Sequence, residues 1–145
     1  MKYLILITTL LFANITIASS DQFTAGYKIS HSWTENSFPK NWKTPTFDTF
    51  ICENNTLIWN NTTDANNPTS GLEKYNAIEL APNLLQVSWK ESPETTNYGI
   101  IWTLDFNNMS IRGVLANLNP NENYVVAGKF SIEKAQSSTR LKVCN

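Results

Sequence analysis

Apolar and polar side chains alternate over several short stretches of the chain, a period typical of half-buried β-strands. The clearest stretch is 98–106, where every second residue is large and apolar: Tyr98, Ile100, Trp102, Leu104 and Phe106. The same rule selects Leu85, Val87 and Trp89 in 85–89, and Tyr124, Val126, Gly128, Phe130 and Ile132 in 124–132. Each set should therefore lie on the inner face of a sheet.

Eight segments have this character and are separated by clusters of turn-forming residues. They are 23–29, 46–52, 56–59, 76–80, 84–89, 97–106, 110–116 and 123–134. Short asparagine-containing connections, such as 53–55 and 107–108, predict antiparallel hairpins. The stretch 32–45 has two prolines and no clear period, which predicts a long loop after the first strand.

An antiparallel meander with one apolar face must cover that face, and closing into a barrel also removes the exposed strand edges. We therefore predict an all-β fold, an antiparallel up-and-down β-barrel of about eight strands, with an open sandwich as the alternative. Eight strands make a barrel that is either filled by side chains or able to hold one small ligand.

The first twenty residues have the features of a secretory signal peptide: a positive charge at Lys2, an apolar stretch to about Ile17, and small residues after it. Cleavage is predicted after Ala18 or Ser20, followed by export to the periplasm or the extracellular space. The apolar stretch is shorter than the ~20 residues of a membrane span, so no stable membrane insertion is expected after cleavage. Residues 21–145 are then a single domain.

Charge and cysteine content limit the classes of partner and the kinds of site that this chain is expected to have. The formal net charge is −1 at pH 7 and the basic residues are scattered, which disfavours a nucleic-acid partner. The two cysteines, Cys52 and Cys144, predict a disulfide in an oxidising compartment, with two free thiols as the alternative. Two cysteines and one histidine are a poor basis for a metal site, and no cofactor is predicted. The oligomeric state stays open.

Two stretches resemble a known group of small barrels. The segments "YNAIELAPNLLQVSWKE" and "NYGIIWTLDFNNMSIRGVLAN", preceded by "FDTFICENNTLIWN", are similar to the central part of MoaF-like proteins and phenolic acid decarboxylases. The resemblance covers a little over half of residues 21–145. It implies a lipocalin-like, calycin-type barrel with an internal pocket.

The decarboxylases also imply an active site, which can be compared position by position. Glu91, two residues after Trp89, matches the carboxylic acid at the end of the strand that carries "SWKE". The arginine of that family would fall near Asn67 or Pro68, and its paired tyrosines are represented only by Tyr27. One matching group out of four does not reproduce that active site.

The aromatic residues are the main candidates for a binding site. Five tryptophans are more than a small core ordinarily uses, and aromatic linings suit a small planar or hydrophobic molecule. The predicted ligand-binding residues are Trp33, Trp59, Trp89, Tyr98, Trp102, Arg112 and Tyr124. Trp33, Trp42 and Phe38 belong to the long loop or its border, whereas core filling alone explains Trp89 and Trp102 as well.

The polar residues that could belong to a site also have explanations that involve no ligand. His31 is interpreted as a polar residue at a strand end, and Arg112 points outward by default because a buried arginine needs a partner. Single acidic residues such as Glu73 are interpreted as solvated surface.

We therefore predict an exported barrel that binds a small hydrophobic or aromatic molecule in its interior without catalysis. One alternative is a cofactor-free lyase in which Glu91 is the general acid and Tyr27 or Arg112 positions an anionic substrate. The other is a secreted interaction or inhibitor module whose barrel is filled.

Overall fold

The computed structural model describes residues 19–38, 45–63, 69–94, 96–117, 122–136, 139, 143 and 144. Eight strands follow a short 3-10 turn at Ser20–Gln22: β1 (Tyr27–Asn36), β2 (Thr46–Ile51), β3 (Thr56–Asn61), β4 (Ser70–Ala81), β5 (Leu84–Lys90), β6 (Tyr98–Asp105), β7 (Ser110–Asn117) and β8 (Glu122–Lys134). Among these residues, no helix is long and apolar enough to cross a bilayer. The predicted signal peptide lies almost entirely in 1–18, outside the described residues.

The strands form a closed barrel in sequence order, and every neighbouring pair is antiparallel. β1 closes the barrel because it pairs with β2 on one edge and with β8 on the other. The predicted eight-stranded up-and-down barrel is thus confirmed over the open sandwich. The predicted inner faces of β5, β6 and β8 are also confirmed, because the alternating apolar residues are the buried ones.

Two strands differ from the prediction. β1 runs from Tyr27 to Asn36, so the first part of the predicted loop is strand. β4 starts at Ser70, six residues before the predicted 76–80 segment. Its inner face begins with Gly71 and Glu73, which are buried although neither is apolar. Hydrophobic alternation cannot identify such a strand.

One end of the barrel, called here the closed end, carries the tight turns at 52–55, 82–83 and 106–109. At the first of these, Asn54 and Asn55 both have positive φ, 58° and 54°, as a type I′ hairpin turn requires. The N-terminal segment covers the same end: Phe23 packs edge-on against Tyr75 at 5.4 Å between ring centroids.

Apolar side chains fill the interior near the closed end. Ile29, Ile51, Leu57, Leu104 and Ile111 are almost completely buried. At the same end, Phe106 and Phe130 meet edge to face at 5.3 Å between ring centroids. The described side chains in this half of the barrel form a packed core.

The disulfide also belongs to the closed end. Cys52 follows β2 directly and is bonded to Cys144, 92 residues later, with the two Cα atoms 5.6 Å apart. The predicted pairing is therefore confirmed. A structural disulfide is consistent with an oxidising, exported compartment.

Candidate functional site

A cavity lies in the other half of the barrel, called here the open end, where β1, β3, β5 and β7 finish. Its volume is about 30 Å³, room for about two water molecules. It is lined by His31, Trp33, Phe47, Thr49, Trp59, Trp89, Glu91, Ile100, Trp102 and Leu115. The interior is thus packed at the closed end and incompletely filled at the open end.

The lining rings form one connected cluster. His31 stacks on Phe47 with centroids 5.2 Å apart and planes 14° from parallel. Its ring also meets Trp33 at 4.8 Å and Trp102 at 4.6 Å, both edge-on. Trp102 in turn packs against Trp89 at 4.5 Å. These contacts hold the rings in defined orientations around the cavity.

Several polar atoms in this cluster have no hydrogen-bond partner among the described residues. Both ring nitrogens of His31, the hydroxyl of Thr49 and the indole nitrogens of Trp33, Trp59 and Trp89 are buried without a hydrogen bond to any group in the described part of the chain. An unpaired buried polar group costs about 1–3 kcal/mol, so native proteins seldom keep one. Six such atoms around one cavity distinguish this region from an ordinary core.

Glu91 borders the cavity from the segment that follows β5. Its N–H donates to the Tyr98 carbonyl at 2.7 Å, which extends the β5–β6 pairing by one residue and turns the side chain inward. The Thr96 hydroxyl donates to Glu91 Oε2. Only 7% of Glu91 is exposed, and burial raises the pKa of its carboxyl to about 7.

Neighbouring groups modulate this carboxyl. The charge of Glu73 raises the Glu91 pKa further, while the hydrogen bond from Thr96 lowers it. The Trp89 N–H lies near enough to lower it as well, although the pair does not have hydrogen-bond geometry. Glu91 is therefore poised to exchange a proton near neutral pH.

Glu73 corrects the prediction that the acidic residues are all solvated. It lies on the inner face of β4 and is 8% exposed. The Ser92 N–H donates to its Oε1 at 3.1 Å. Glu73 and Glu91 thus place two buried carboxyls at the same end of the barrel.

The interpretation of His31 as a strand-end residue is wrong. It lies in the middle of β1, on the inner face between Ile29 and Trp33, and is 5% exposed. Burial lowers its pKa to about 3, so the imidazole is neutral at pH 7. A neutral imidazole donates one hydrogen bond and accepts one.

The structure brings together four of the seven predicted ligand-binding residues. Trp33, Trp59, Trp89 and Trp102 all line the cavity. Trp33 does so from within β1 and not from a loop, because β1 is longer than predicted. Trp42 lies outside the described residues.

Tyr98 and Tyr124 lie at the open end but do not line the cavity. Tyr124 is buried, donates a hydrogen bond to Glu122 and has Phe38 against its ring at 5.2 Å between centroids. Tyr98 lies 6.3 Å from the Tyr124 ring and accepts a hydrogen bond from Asn117 at 3.5 Å. Phe38 thus covers part of this end, as its position in the sequence suggested.

The prediction that Arg112 binds a ligand inside the barrel is wrong, because its side chain lies outside the interior. Its neighbours Ile111 and Gly113 point inward, so strand alternation places Arg112 on the exposed outer face. Tyr27, its alternative in the lyase prediction, begins β1 at the closed end and is far along the barrel from Glu91.

Sequence reasoning missed Phe47, Thr49 and Leu115 as lining residues. In β2, apolar residues occur on both faces: Phe47 and Ile51 lie on one face, and the equally apolar Phe50 lies on the other. Only the pairing of Thr49 with Trp59 across β2 and β3 fixes which face is inner. This pairing is a matter of strand register, which the sequence of β2 alone does not show.

Neither a model of a known protein family nor a curated protein matches this sequence. Among solved structures, the chain is similar to the crystal structure of a protein described as a "putative beta-lactamase" from Burkholderia vietnamiensis. The TM-score is 0.60 at 13% sequence identity, and the match covers 75% of this chain and 94% of the other. A likeness at this identity shows a shared fold.

Proposed function

We propose that this protein is an exported binding protein that holds a small hydrophobic or aromatic molecule at the open end of its barrel, without transforming it. The observation that carries the proposal is the cavity whose six buried polar atoms lack a partner in the described chain. Ligand sites combine aromatic walls with a few such polar groups.

The size of the cavity sets how a ligand would enter. An aromatic ring requires a cavity on the order of 150 Å³, several times the 30 Å³ present. Phe47 and Leu115 are the lining residues that stay partly exposed, so they are the least confined by their neighbours. We expect a ligand ring to displace Phe47 and to stack on His31 in its place.

The test is native mass spectrometry of protein purified from its own cells, followed by titration of single-ring compounds with tryptophan fluorescence. A Cβ at Gly71 would lie 2.7 Å from Trp59 Nε1, so Gly71→Ala should push that ring toward the cavity and weaken binding. Gly99→Ala is the matched control, because its nearest neighbours would be 3.9 Å away. Unchanged fluorescence and no bound mass would contradict the proposal.

Export remains part of the proposal. We infer cleavage after Ala18, because Ser19 and Ser20 have structural roles at the closed end: Ser19 caps the 3-10 turn and the Ser20 hydroxyl donates to Glu79 Oε1 at 2.9 Å. N-terminal sequencing of the secreted protein should start at Ser19. A start at Asp21 would place the processing site after Ser20 instead.

A cofactor-free lyase is the second candidate, and Glu91 is the observation that favours it. A buried carboxyl with a pKa of about 7 beside aromatic walls suits a general acid, and its position matches the decarboxylase resemblance. Such an acid would protonate the carbon from which carbon dioxide departs. Arg112 faces outward, however, and Tyr27 lies at the opposite end.

Incubation with hydroxycinnamic acids and chromatographic detection of the vinylphenol product tests the lyase directly. Glu91→Gln should abolish turnover if Glu91 is the acid, whereas binding should survive the change. Absence of product from the unaltered protein would contradict the lyase candidate.

Hydrolysis of a β-lactam, suggested by the description of the structural neighbour, has no support from this cavity. The lining residues that the structure describes include neither serine nor lysine. In the described part of the chain, no group of three or more His, Cys, Asp or Glu residues is arranged to hold a metal ion.

A further inference from the structure

Building on the proposed binding function, we propose that the ligand is uncharged and presents a hydrogen-bond acceptor, such as a carbonyl oxygen, to the indole N–H groups of the cavity. The proposal rests on the balance of donors and acceptors that the cavity leaves unpaired, and on the sign of the charges around it.

Donors outnumber acceptors among the unpaired atoms. The indole nitrogens of Trp33, Trp59 and Trp89 can only donate. The Thr49 hydroxyl and the neutral His31 imidazole each donate and accept. All five side chains are more than nine-tenths buried, so bulk water does not reach these atoms. A ligand that satisfies the cavity must therefore bring acceptors.

The charges at the open end argue against an anion as the source of those acceptors. Glu91 lines the cavity and Glu73 lies beside it on the adjacent strand. In the part of the chain that the structure describes, neither lysine nor arginine lines the cavity. An anionic ligand would be repelled by ionised Glu91, and no cation among the described lining residues compensates for that charge.

A cation would meet favourable charge but the wrong hydrogen-bonding groups. It would pair with Glu91, yet an amidinium or ammonium group offers only donors, which leaves the three indole N–H groups unpaired. A neutral carbonyl compound avoids both problems. Its oxygen accepts from the indoles while its apolar part packs against the rings.

Four nearly isosteric probes separate these cases at pH 8: benzamide (neutral acceptor), benzoate (anion), benzamidine (cation) and α-methylstyrene (no polar group). Affinities are measured by tryptophan fluorescence and by calorimetry. We expect benzamide to bind at least tenfold more tightly than each of the other three. In Glu91→Gln, benzoate should gain at least tenfold, because the repelling charge is gone.

Variants that remove one N–H and keep a ring identify the donors. Trp59→Phe and Trp89→Phe should each weaken benzamide binding about tenfold and leave α-methylstyrene binding unchanged. Thr103→Val, on the outer face of β6, is the control and should alter neither. Circular dichroism of each variant verifies that the barrel is intact.

The outcomes distinguish this inference from the proposed function. If α-methylstyrene binds as tightly as benzamide, or if benzamidine binds most tightly, the inference is overturned while the binding function stands. If benzamide binds most tightly but both tryptophan variants retain full affinity, the indole donors are not the recognition element and the inference is also overturned. If none of the four probes binds, both proposals are contradicted.

Discussion

His31 and Glu91 line the same cavity from β1 and from the end of β5, and burial moves their pKa values in opposite directions. The pKa of His31 falls to about 3 and that of Glu91 rises to about 7. Both shifts have one cause, because each residue is held in its neutral form where water is excluded. Their effects on stability have opposite signs.

The first prediction follows from those signs. The folded-state pKa of Glu91 is above its ordinary value of 4.5, so its contribution to stability falls as pH rises from 4.5 to 7. The folded-state pKa of His31 is below its ordinary value of 6.5, so its contribution rises with pH between 3 and 6.5. Between pH 4.5 and 6.5 the two largely cancel.

Removing one of the two groups should reveal the pH-dependent contribution of the other to stability. Relative to the unaltered protein, Glu91→Gln should gain stability by about 2 kcal/mol from pH 4.5 to 6.5, and His31→Phe should lose a similar amount. Urea unfolding across this range measures both. Glu94→Gln, an exposed carboxyl in the same loop, is the control. Parallel pH curves for all four proteins would show that neither group is perturbed.

The second prediction concerns the hydroxyl that supports Glu91. Thr96 donates to Glu91 Oε2, and this hydrogen bond lowers the carboxyl pKa. Thr96→Val removes the donor and keeps the shape, so the Glu91 pKa should rise above 7. Carbon-detected NMR titration of the glutamate carboxyls measures it. A Glu91 pKa that is unchanged, or lower, would show that Thr96 does not stabilise the ionised form.

The barrel could be predicted from the sequence because β5, β6 and β8 alternate cleanly between apolar and polar residues. In those strands one buried face determines the inner set, including Trp89 and Trp102, without knowledge of the partners. The disulfide followed from an even cysteine count. These features depend on single segments or on composition, which the sequence displays directly.

The polar part of the cavity could not be predicted in the same way. His31 and Glu73 are on inner faces that contain polar residues, so alternation of hydrophobicity fails for them. Glu91 lies just beyond β5 and is turned inward by its hydrogen bond to Tyr98. Each position depends on long-range pairing between strands. The residues that break the pattern are those that bring ionisable groups to the open end of the barrel.

The third prediction tests the closure between β1 and β8. The pairing shifts by one residue between Trp33 and Glu35, and this bulge lies opposite Gly128. A Cβ at Gly128 would lie 1.9 Å from the backbone oxygen of Ser32, so the backbone must move. Gly128→Ala should destabilise the protein by about 3 kcal/mol or more, by analogy with overpacked cores.

Thermal unfolding of Gly128→Ala and Gly99→Ala together provides the comparison. Alanine at Gly99 meets only ordinary contacts and should change stability by less than about 1 kcal/mol. Equal unfolding temperatures for the two variants would mean that the backbone of β1 does not pass this close to Gly128.

The last prediction separates stability from binding by using the distance between the two ends. The Cys52–Cys144 disulfide is at the closed end, and the cavity is at the open end. Replacing both cysteines by alanine should lower the free energy of unfolding by about 5 kcal/mol, because it frees a loop of 92 residues in the unfolded chain. No lining residue is touched, so probe affinities of the folded variant at low temperature should stay within about twofold, since distant sites act independently. Urea unfolding and fluorescence titration of the same sample measure both effects. A variant that keeps its stability would contradict the role of the disulfide, and one that stays folded but loses binding would show that the two ends are coupled.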